Sequence, residues 1–527
     1  MVKVLISDKM SPRAAEVFRG RGVDVDERTD LGPEDLIAAI GGYDGLAVRS
    51  ATKVTADVLN AANGRLKVVG RAGIGVDNVD IEAATANGVC VMNTPFGNSI
   101  TTAEHAISMM LALAREIPAA NASTHAGKWE KSRFMGVELY GKVLGIVGCG
   151  NIGSIVADRA QGLKMRVVVY DPFLALERAV ELGIEKVELD ELLARADFIS
   201  LHTPMTESTK GLLNGETLAK AKKGVRLINC ARGGLIVEAD LLAALDSGQV
   251  AGAALDVFSD EPAKENVLFG HEKVVATPHL GASTSEAQEK VAVQVAEQMS
   301  DYLLDGAVTN ALNMASVTAE EAPRLRPYFE LARELGSFAG QLTETAIQGV
   351  HIEYEGHVAT LNTRPLTSIV LEGLLSPLMD TVNMVNAAAI AKQRDIDVRE
   401  TRDEAPGDYQ TLIRLTVTTE RQSRSVAGTL FADRRPRIVQ IKGIKLEAET
   451  APNMLYVTNE DKPGFIGALG TTLGDAGVNI ATFHLGRAEA GGDAIALIEV
   501  DQPLSDQVLA QVRGLSHVVQ AKPLSFG

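Results

Sequence analysis

The chain has 527 residues, more than one hydrophobic core can organise, since single cores stop growing near ~250–300 residues. Its formal net charge of −17 excludes a general nucleic-acid binder and a polybasic membrane anchor, both of which need a basic footprint. A hydrophobic fraction of 46% with 23% charged residues describes a folded, multidomain chain rather than a disordered one.

Three cysteines, Cys90, Cys149 and Cys230, make an odd number without a C-x-x-C pair. Neither a disulfide framework nor a metal site is expected, and a reducing cytoplasm fits that usage. Residues 1–8 read as an ordinary first strand, not a signal peptide. The longest apolar run, 107–114, falls short of the ~20 residues of a membrane span.

In chain order, 2–6 reads as a strand, 12–19 as a helix and 23–25 as a strand, with further short apolar runs at 45–48 and 66–69. Strands alternating with helical stretches predict a parallel α/β sheet. Thr101 and Glu104 have capping-box spacing and predict a helix over 103–115 that Pro118 terminates. A second α/β unit runs from 143 to about 278. The helical pattern Ala287, Val291, Val295, Met299 and Tyr302 then returns the chain to the first domain.

From about 316 the texture changes, with helices predicted at 329–342 and 378–392 and strands at 412–417, 426–431 and 438–444. Arg421, Arg424, Arg434, Arg435, Arg437, Lys442 and Lys445 cluster there and are expected to form a solvated face. The tail reads strand, helix, strand, strand, helix, strand, which is the split β-α-β ferredoxin-like pattern.

The most informative motif is Gly148-Cys149-Gly150-Asn151-Ile152-Gly153, after an apolar strand and before a helical run. Its glycines permit a tight turn, close backbone approach to a pyrophosphate and close helix–strand packing. Asp171 follows Gly153 by 18 residues, at the end of the next strand, where a carboxylate accepts from ribose hydroxyls. A carboxylate there would repel a 2′-phosphate, so NAD is favoured over NADP.

Three polar groups follow short apolar strands: Arg232, Glu261 and His279. Oxidising a secondary alcohol needs a base, and histidine titrates in the useful range. Glu261 can orient the ring and stabilise the imidazolium, while the forked Arg232 cation suits a substrate carboxylate.

On the Gly148 loop and the stretches 229–234, 255–262 and 277–282, the first 310 or so residues resemble the D-2-hydroxyacid dehydrogenase family. The resemblance implies that Arg232, Glu261 and His279 carry the chemistry. It implies NAD contacts at Gly148, Gly150, Asn151, Ile152, Gly153, Asp171, Thr203, Cys230, Ala231, Arg232, Asp256, His279, Gly281 and Ala282. Arg49, Ser50, Arg71, Gly73 and Ile74, at strand ends of the first domain, are candidate substrate contacts. Trp129 is read as a subunit-contact residue, and Arg133 as a group that reaches the partner's site.

Asn459, Asp461, the Pro463-Gly464 step and Asn479 resemble an ACT domain, a small-molecule-binding module that pairs edge to edge. These residues would hold an amino acid at the seam, Asp461 taking its ammonium group and the neighbouring chain's Asn479 its carboxylate. The whole chain thus resembles the long branch of its family. That implies oxidation of 3-phospho-D-glycerate to 3-phosphooxypyruvate at the entry to serine synthesis, with inhibition by L-serine and a homotetramer. The alternatives are a hydroxypyruvate or 2-hydroxyglutarate dehydrogenase, or a non-catalytic NAD-responsive corepressor. The expected architecture is α/β: two Rossmann-like parallel-sheet domains, an α+β intervening domain and a ferredoxin-like ACT domain. Their expected limits are 1–97 with 283–315 for substrate, 98–282 for NAD, 316–452 for the intervening domain and 453–527 for the ACT domain.

Overall fold

The computed structural model describes residues 1–318, 320–379, 381–431 and 434–526. The chain forms two compact units: Met1–Lys9, Ala15–Asn93 and Val295–Gly527 make one, Met10–Ala14 and Thr94–Gln294 the other. Among the described residues no helix is long and apolar enough to cross a membrane.

The Thr94–Gln294 unit is built on a seven-stranded parallel sheet. Its order is Val274–Ala276, Val250–Leu255, Val225–Asn229, Phe198–Leu201, Val143–Val147, Arg166–Tyr170 and Glu185–Lys186. Its central strands are mostly apolar and buried almost throughout, as a helix-covered parallel sheet requires. The strand order reverses beside Val143–Val147, and in such sheets ligands settle at the carboxyl ends near that switch point.

The helix of this unit that begins first runs Ser99–Ala114 and is longer than the capping-box spacing predicts. Asn98 is its N-cap, without a side-chain cap bond, and Thr101 lies inside it, with its Oγ1 3.4 Å from Thr284 Oγ1. Ser99 extends the helix by donating from Oγ to the Pro95 carbonyl. Pro118 does not end a helix either. It sits in the first turn of Ile117–His125, where its missing N–H costs nothing, and the break falls at Glu116 with φ +51°.

The other unit holds three sheets. The first is parallel, in the order Asp24–Glu27, Lys3–Ile6, Gly45–Val48, Val68–Arg71 and Cys90–Asn93. The second has six strands: Asp397–Asp403, Ile347–Gly356, Thr411–Thr419, Ser423–Leu430, Pro436–Ile441 and Ile444–Ala448. Only its first pair is parallel. The run expected as one strand over 438–444 is split by Lys442 and Gly443, both at positive φ, into two strands of a tight hairpin.

Helices Ala322–Gln341 and Arg364–Leu375 pack with their backbones close, because small residues face each other. A Cβ on Gly336 would strike the Val370 carbonyl, and one on Gly340 the Leu374 carbonyl. The single helix expected over 378–392 crosses Asp380, which lies outside the described residues. Its described part resolves into a short turn, Ser376–Leu378, and a helix, Ala387–Gln393. Asn383 and Asn386 break the run, since Asn386 Oδ1 accepts the Asn383 N–H and its Nδ2 donates to the Thr381 carbonyl.

The third sheet is antiparallel throughout, in the order Ile480–Arg487, Asp493–Val500, Met454–Glu460 and Val518–Leu524. Helices Phe465–Asp475 and Asp506–Arg513 cover it through Leu469, Leu473, Leu509 and Val512. Its edge strand Ile480–Arg487 lies against Ile444–Ala448 of the preceding sheet. A side chain at Gly486 would strike the Lys445 carbonyl.

Candidate functional site

At the carboxyl end of Val143–Val147 each glycine of the loop has its own constraint. Gly148 has φ +88°, and a Cβ there would meet the His202 carbonyl at 2.6 Å. Gly153 sits against the Gly148 carbonyl, so only glycine lets the helix Asn151–Gly162 start so near the strand. Gly150, the N-cap, has no atom within 4 Å of where a Cβ would be, which leaves open approach for a ligand at the helix start. Asp171 is held in place by the same loop: its Oδ2 accepts the Cys149 N–H at 2.7 Å and its Oδ1 the Phe173 N–H at 2.8 Å. Free N–H groups at a helix start, an unfilled approach and a fixed carboxylate fit a dinucleotide.

Ile152 packs against the core of this unit, while Thr203 follows His202, whose N–H pairs with the Val147 carbonyl. Cys149 and Cys230 are buried thiols, with burial pushing Cys149 up to about 11 and Cys230 higher still. Neither is poised as a thiolate nucleophile.

Arg232 is half-buried just past Val225–Asn229, and its Nη1 donates to the Ala231 carbonyl at 2.7 Å. Asn229 shapes that turn: its Nδ2 donates to the Arg232 carbonyl and its Oδ1 accepts the Ala231 N–H. Gly233 presses on the Phe258 carbonyl with no room for a side chain.

His279 and Glu261 are brought together. His279 Nδ1 lies 2.6 Å from Glu261 Oε2, while Glu261 Oε1 accepts the Phe258 N–H at 3.0 Å. The Glu261 hydrogen bond raises the His279 pKa above its ordinary value, against partial burial. Burial works against the Glu261 charge, yet the His279 and Phe258 hydrogen bonds prevail and its pKa is lowered. Both shifts therefore favour an ion pair. Nε2 of His279 makes no hydrogen bond among the described residues.

Asp256 is fully buried. Its carboxylate accepts from Thr277 Oγ1, Leu280 N and Gly281 N at 2.6–2.8 Å. Thr102 Oγ1 donates to the Gly281 carbonyl at 2.9 Å, and Ala282 follows in a half-buried turn.

In the other unit, Arg49 and Ser50 follow Gly45–Val48, and Arg71 closes Val68–Arg71. Asp8, not singled out in the sequence, anchors the first of these loops: its carboxylate accepts from Arg49 N, Ala51 N, Thr52 N and Thr52 Oγ1. Arg49 is half-buried and its Nη1 donates to the Lys9 carbonyl. Gly73 has φ +145°, and the Arg71 guanidinium fills the space where its Cβ would be. The Ile74 carbonyl accepts from Asn93 Nδ2 at 2.6 Å.

Trp129 is 87% exposed. Arg133 is exposed and donates to Glu130 Oε2 at 3.2 Å. In the last sheet, Asn459 is buried beside Asp461, whose Oδ2 accepts from Arg487 Nη1 at 2.9 Å and from Gly491 N at 3.1 Å. Asn479 Nδ2 donates to Asp501 Oδ2. The basic cluster of the second sheet is not uniformly solvated: Arg424 is buried and donates to the Leu342 carbonyl at 2.7 Å, and burial lowers the Lys442 pKa. Strand Ser423–Leu430 carries Arg424 on the same face as the buried Val426, which turns it inward towards the helix end.

Residues 107–281 match the NAD binding domain of D-isomer specific 2-hydroxyacid dehydrogenases. Residues 324–442 match the D-3-phosphoglycerate dehydrogenase intervening domain, and 453–517 the ACT domain. The chain is 44% identical to D-3-phosphoglycerate dehydrogenase of Bacillus subtilis over 524 residues, covering 99% of each chain. It is 40% identical to the protein of that name from Methanocaldococcus jannaschii, over 98% of each. Among solved structures, apo D-lactate dehydrogenase of Escherichia coli aligns with TM-score 0.53 and 28% identity, over 59% of this chain and 100% of the other. Full-length identity at this level, with all three domain matches in order, means that the chain belongs to the D-3-phosphoglycerate dehydrogenase family, the NAD-dependent multidomain branch of the D-isomer specific 2-hydroxyacid dehydrogenases.

Proposed function

We propose that the chain oxidises 3-phospho-D-glycerate to 3-phosphooxypyruvate with NAD, the entry step of L-serine synthesis. The observation that carries the chemistry is the Glu261–His279 pair, in the domain that also presents Arg232 and the Gly148 loop. The full-length likeness to phosphoglycerate dehydrogenases supports the substrate.

Bound at the Gly148 loop, NAD supplies the hydride acceptor. Gly148, Gly150, Asn151, Ile152 and Gly153 would hold its pyrophosphate, and Asp171 its ribose. Thr203, Cys230, Ala231, Asp256, Gly281 and Ala282 complete the proposed contacts. Arg232 binds the substrate carboxylate through its guanidinium fork and orients the C2 hydroxyl. His279 takes the hydroxyl proton on Nε2 as the C2 hydrogen leaves with its electron pair, and Glu261 stabilises the imidazolium through Nδ1. Arg49, Ser50, Arg71, Gly73 and Ile74 are proposed for substrate recognition, with Arg49 and Arg71 as cations for the phosphate. Arg133 is proposed to reach a partner's site.

L-serine is proposed as a feedback inhibitor held by Asn459, Asp461 and Asn479, in a cytoplasmic homotetramer. Domain limits of 1–97 with 283–315, 98–282, 316–452 and 453–527 accompany this reading. The test is NADH formation measured with 3-phosphoglycerate and 2-hydroxyglutarate, and NADH consumption with hydroxypyruvate, each with and without serine. Turnover of 2-hydroxyglutarate in preference to 3-phosphoglycerate would reject the substrate, and activity unmoved by serine would reject the regulation.

A further inference from the structure

Three segments meet around the buried Asp256 carboxylate: the end of Val250–Leu255, the 277–281 turn and the helix Ser99–Ala114 through Thr102 and His105. His105 Nε2 lies 3.2 Å from Asp256 Oδ1 and 3.3 Å from Thr277 Oγ1. A carboxylate only accepts, so Nε2 carries a hydrogen here. Thr277 Oγ1 spends its own proton on Asp256 at 2.6 Å and can accept the remainder of that bond. A fully buried carboxylate is costly unless every lone pair is met, and His105 supplies the one side-chain N–H among the described donors to Asp256.

What Asp256 grips is the backbone that carries His279. Its two oxygens take Leu280 N at 2.7 Å and Gly281 N at 2.8 Å, and its main-chain carbonyl takes the His279 N–H at 2.9 Å. His279 sits at φ +55°, a conformation a histidine holds only when its surroundings impose it. The imposition comes from both flanks, Thr277 on one side and Leu280 with Gly281 on the other.

We infer that His105 is a positioning residue for hydride transfer: through Asp256 it holds the 277–281 turn and so the registry of the His279 ring with Glu261. It touches neither reacting atom. The inference rests on the reading of His279 as the acid/base group.

The experiment compares His105→Leu with His105→Gln, whose amide nitrogen can replace Nε2 as a donor to Asp256, and with His279→Ala, in the intact enzyme. In the Leu variant kcat falls about tenfold with the hydroxy-acid KM within about twofold, as a displaced general base requires. The limb of the kcat–pH profile that reports His279 moves down towards histidine's ordinary value, because the ring loosens from Glu261. The other charged groups that bear on that ring, Asp256 and Arg232, are unchanged in sequence in both variants. The Gln variant restores kcat to within about threefold of wild type, and the limb with it.

A Leu variant with normal kcat and an unmoved limb overturns the inference, provided His279→Ala is inactive, and leaves the reading of His279 intact. Equal loss in Leu and Gln variants also overturns it, since a packing role would not distinguish them. Normal turnover by His279→Ala would bring down the acid/base reading and this inference together.

Discussion

Glu261 Oε2 and His279 Nδ1 stand 2.6 Å apart, and Glu261 Oε1 is tied to the Phe258 backbone at 3.0 Å. The carboxylate is thus fixed before the imidazole is charged, so its stabilisation of the imidazolium costs little reorganisation. His279→Ala is expected to lower kcat by about 10²–10⁴-fold, the usual contribution of a general base. NADH binding followed by fluorescence should survive, and its loss together with turnover would mean that the change disrupts folding or that the assigned role is wrong.

The same pair sets a pH dependence. Glu261 raises the His279 pKa, and oxidation requires the neutral ring, so activity rises with pH through that raised value. Glu261→Gln removes the hydrogen-bonded charge that favours the imidazolium. The rising limb should move to lower pH while the maximal rate falls. A limb that stays in place would show that Glu261 does not control the ring.

Asp171 is predicted to select the nucleotide. Asp171→Ser should weaken NAD by about tenfold, the loss of one hydrogen bond to a charged group, and narrow the preference over NADP. Cofactor KM values for both nucleotides check this. Because Asp171 also accepts the Cys149 N–H, a thermal melt should accompany the kinetics.

In the first sheet, Arg71 and Gly73 form a linked pair, since the guanidinium occupies the space a Cβ at Gly73 would take. Arg71→Gln should raise the 3-phosphoglycerate KM by about tenfold or more with less effect on kcat, as loss of a charge-assisted contact does. Gly73→Ala should act in the same direction by displacing Arg71. Unchanged KM in both would remove Arg71 from the phosphate assignment.

Asp461→Ala is expected to relieve serine inhibition while uninhibited turnover stays at the wild-type level. Arg487 and the Gly491 N–H both donate to this carboxylate, and the Gly491 hydrogen bond followed by the Arg487 one lowers its pKa. Inhibition curves for Asp461→Ala and Arg487→Ala check the assignment. An Asp461→Ala variant as sensitive as wild type would move the effector site elsewhere.

The parts legible in the sequence were those with local signals. Strand, glycine loop, helix and spaced acid around Gly148 form one continuous stretch, and the tail's six elements each carry their own periodicity. The strand Ile347–Gly356 has no counterpart among the expected elements, although Val350, Ile352 and Tyr354 alternate into the core. Its partner Asp397–Asp403 carries little such signal: it is a charged edge strand, with Val398 its one apolar side chain. The helix Arg364–Leu375, in which Gly373 is a contact point for the Arg333 carbonyl, has no counterpart among the expected elements. Positions 105, 256 and 277 are far apart in the chain, so no spacing rule joins His105 to the turn that bears His279.

Gly486 is where strand Ile480–Arg487 meets Ile444–Ala448, with Ile444 Cγ2 at 2.9 Å and Leu446 Cβ at 3.2 Å from the Cβ it lacks. Main chain resting on main chain has no rotamer with which to absorb a displacement. Strand Ile444–Ala448 is itself laddered to Pro436–Ile441, so the close approach at Gly486 has paired backbone on both sides of it. Enlarging Gly486 would therefore prise the two sheets apart from the inside.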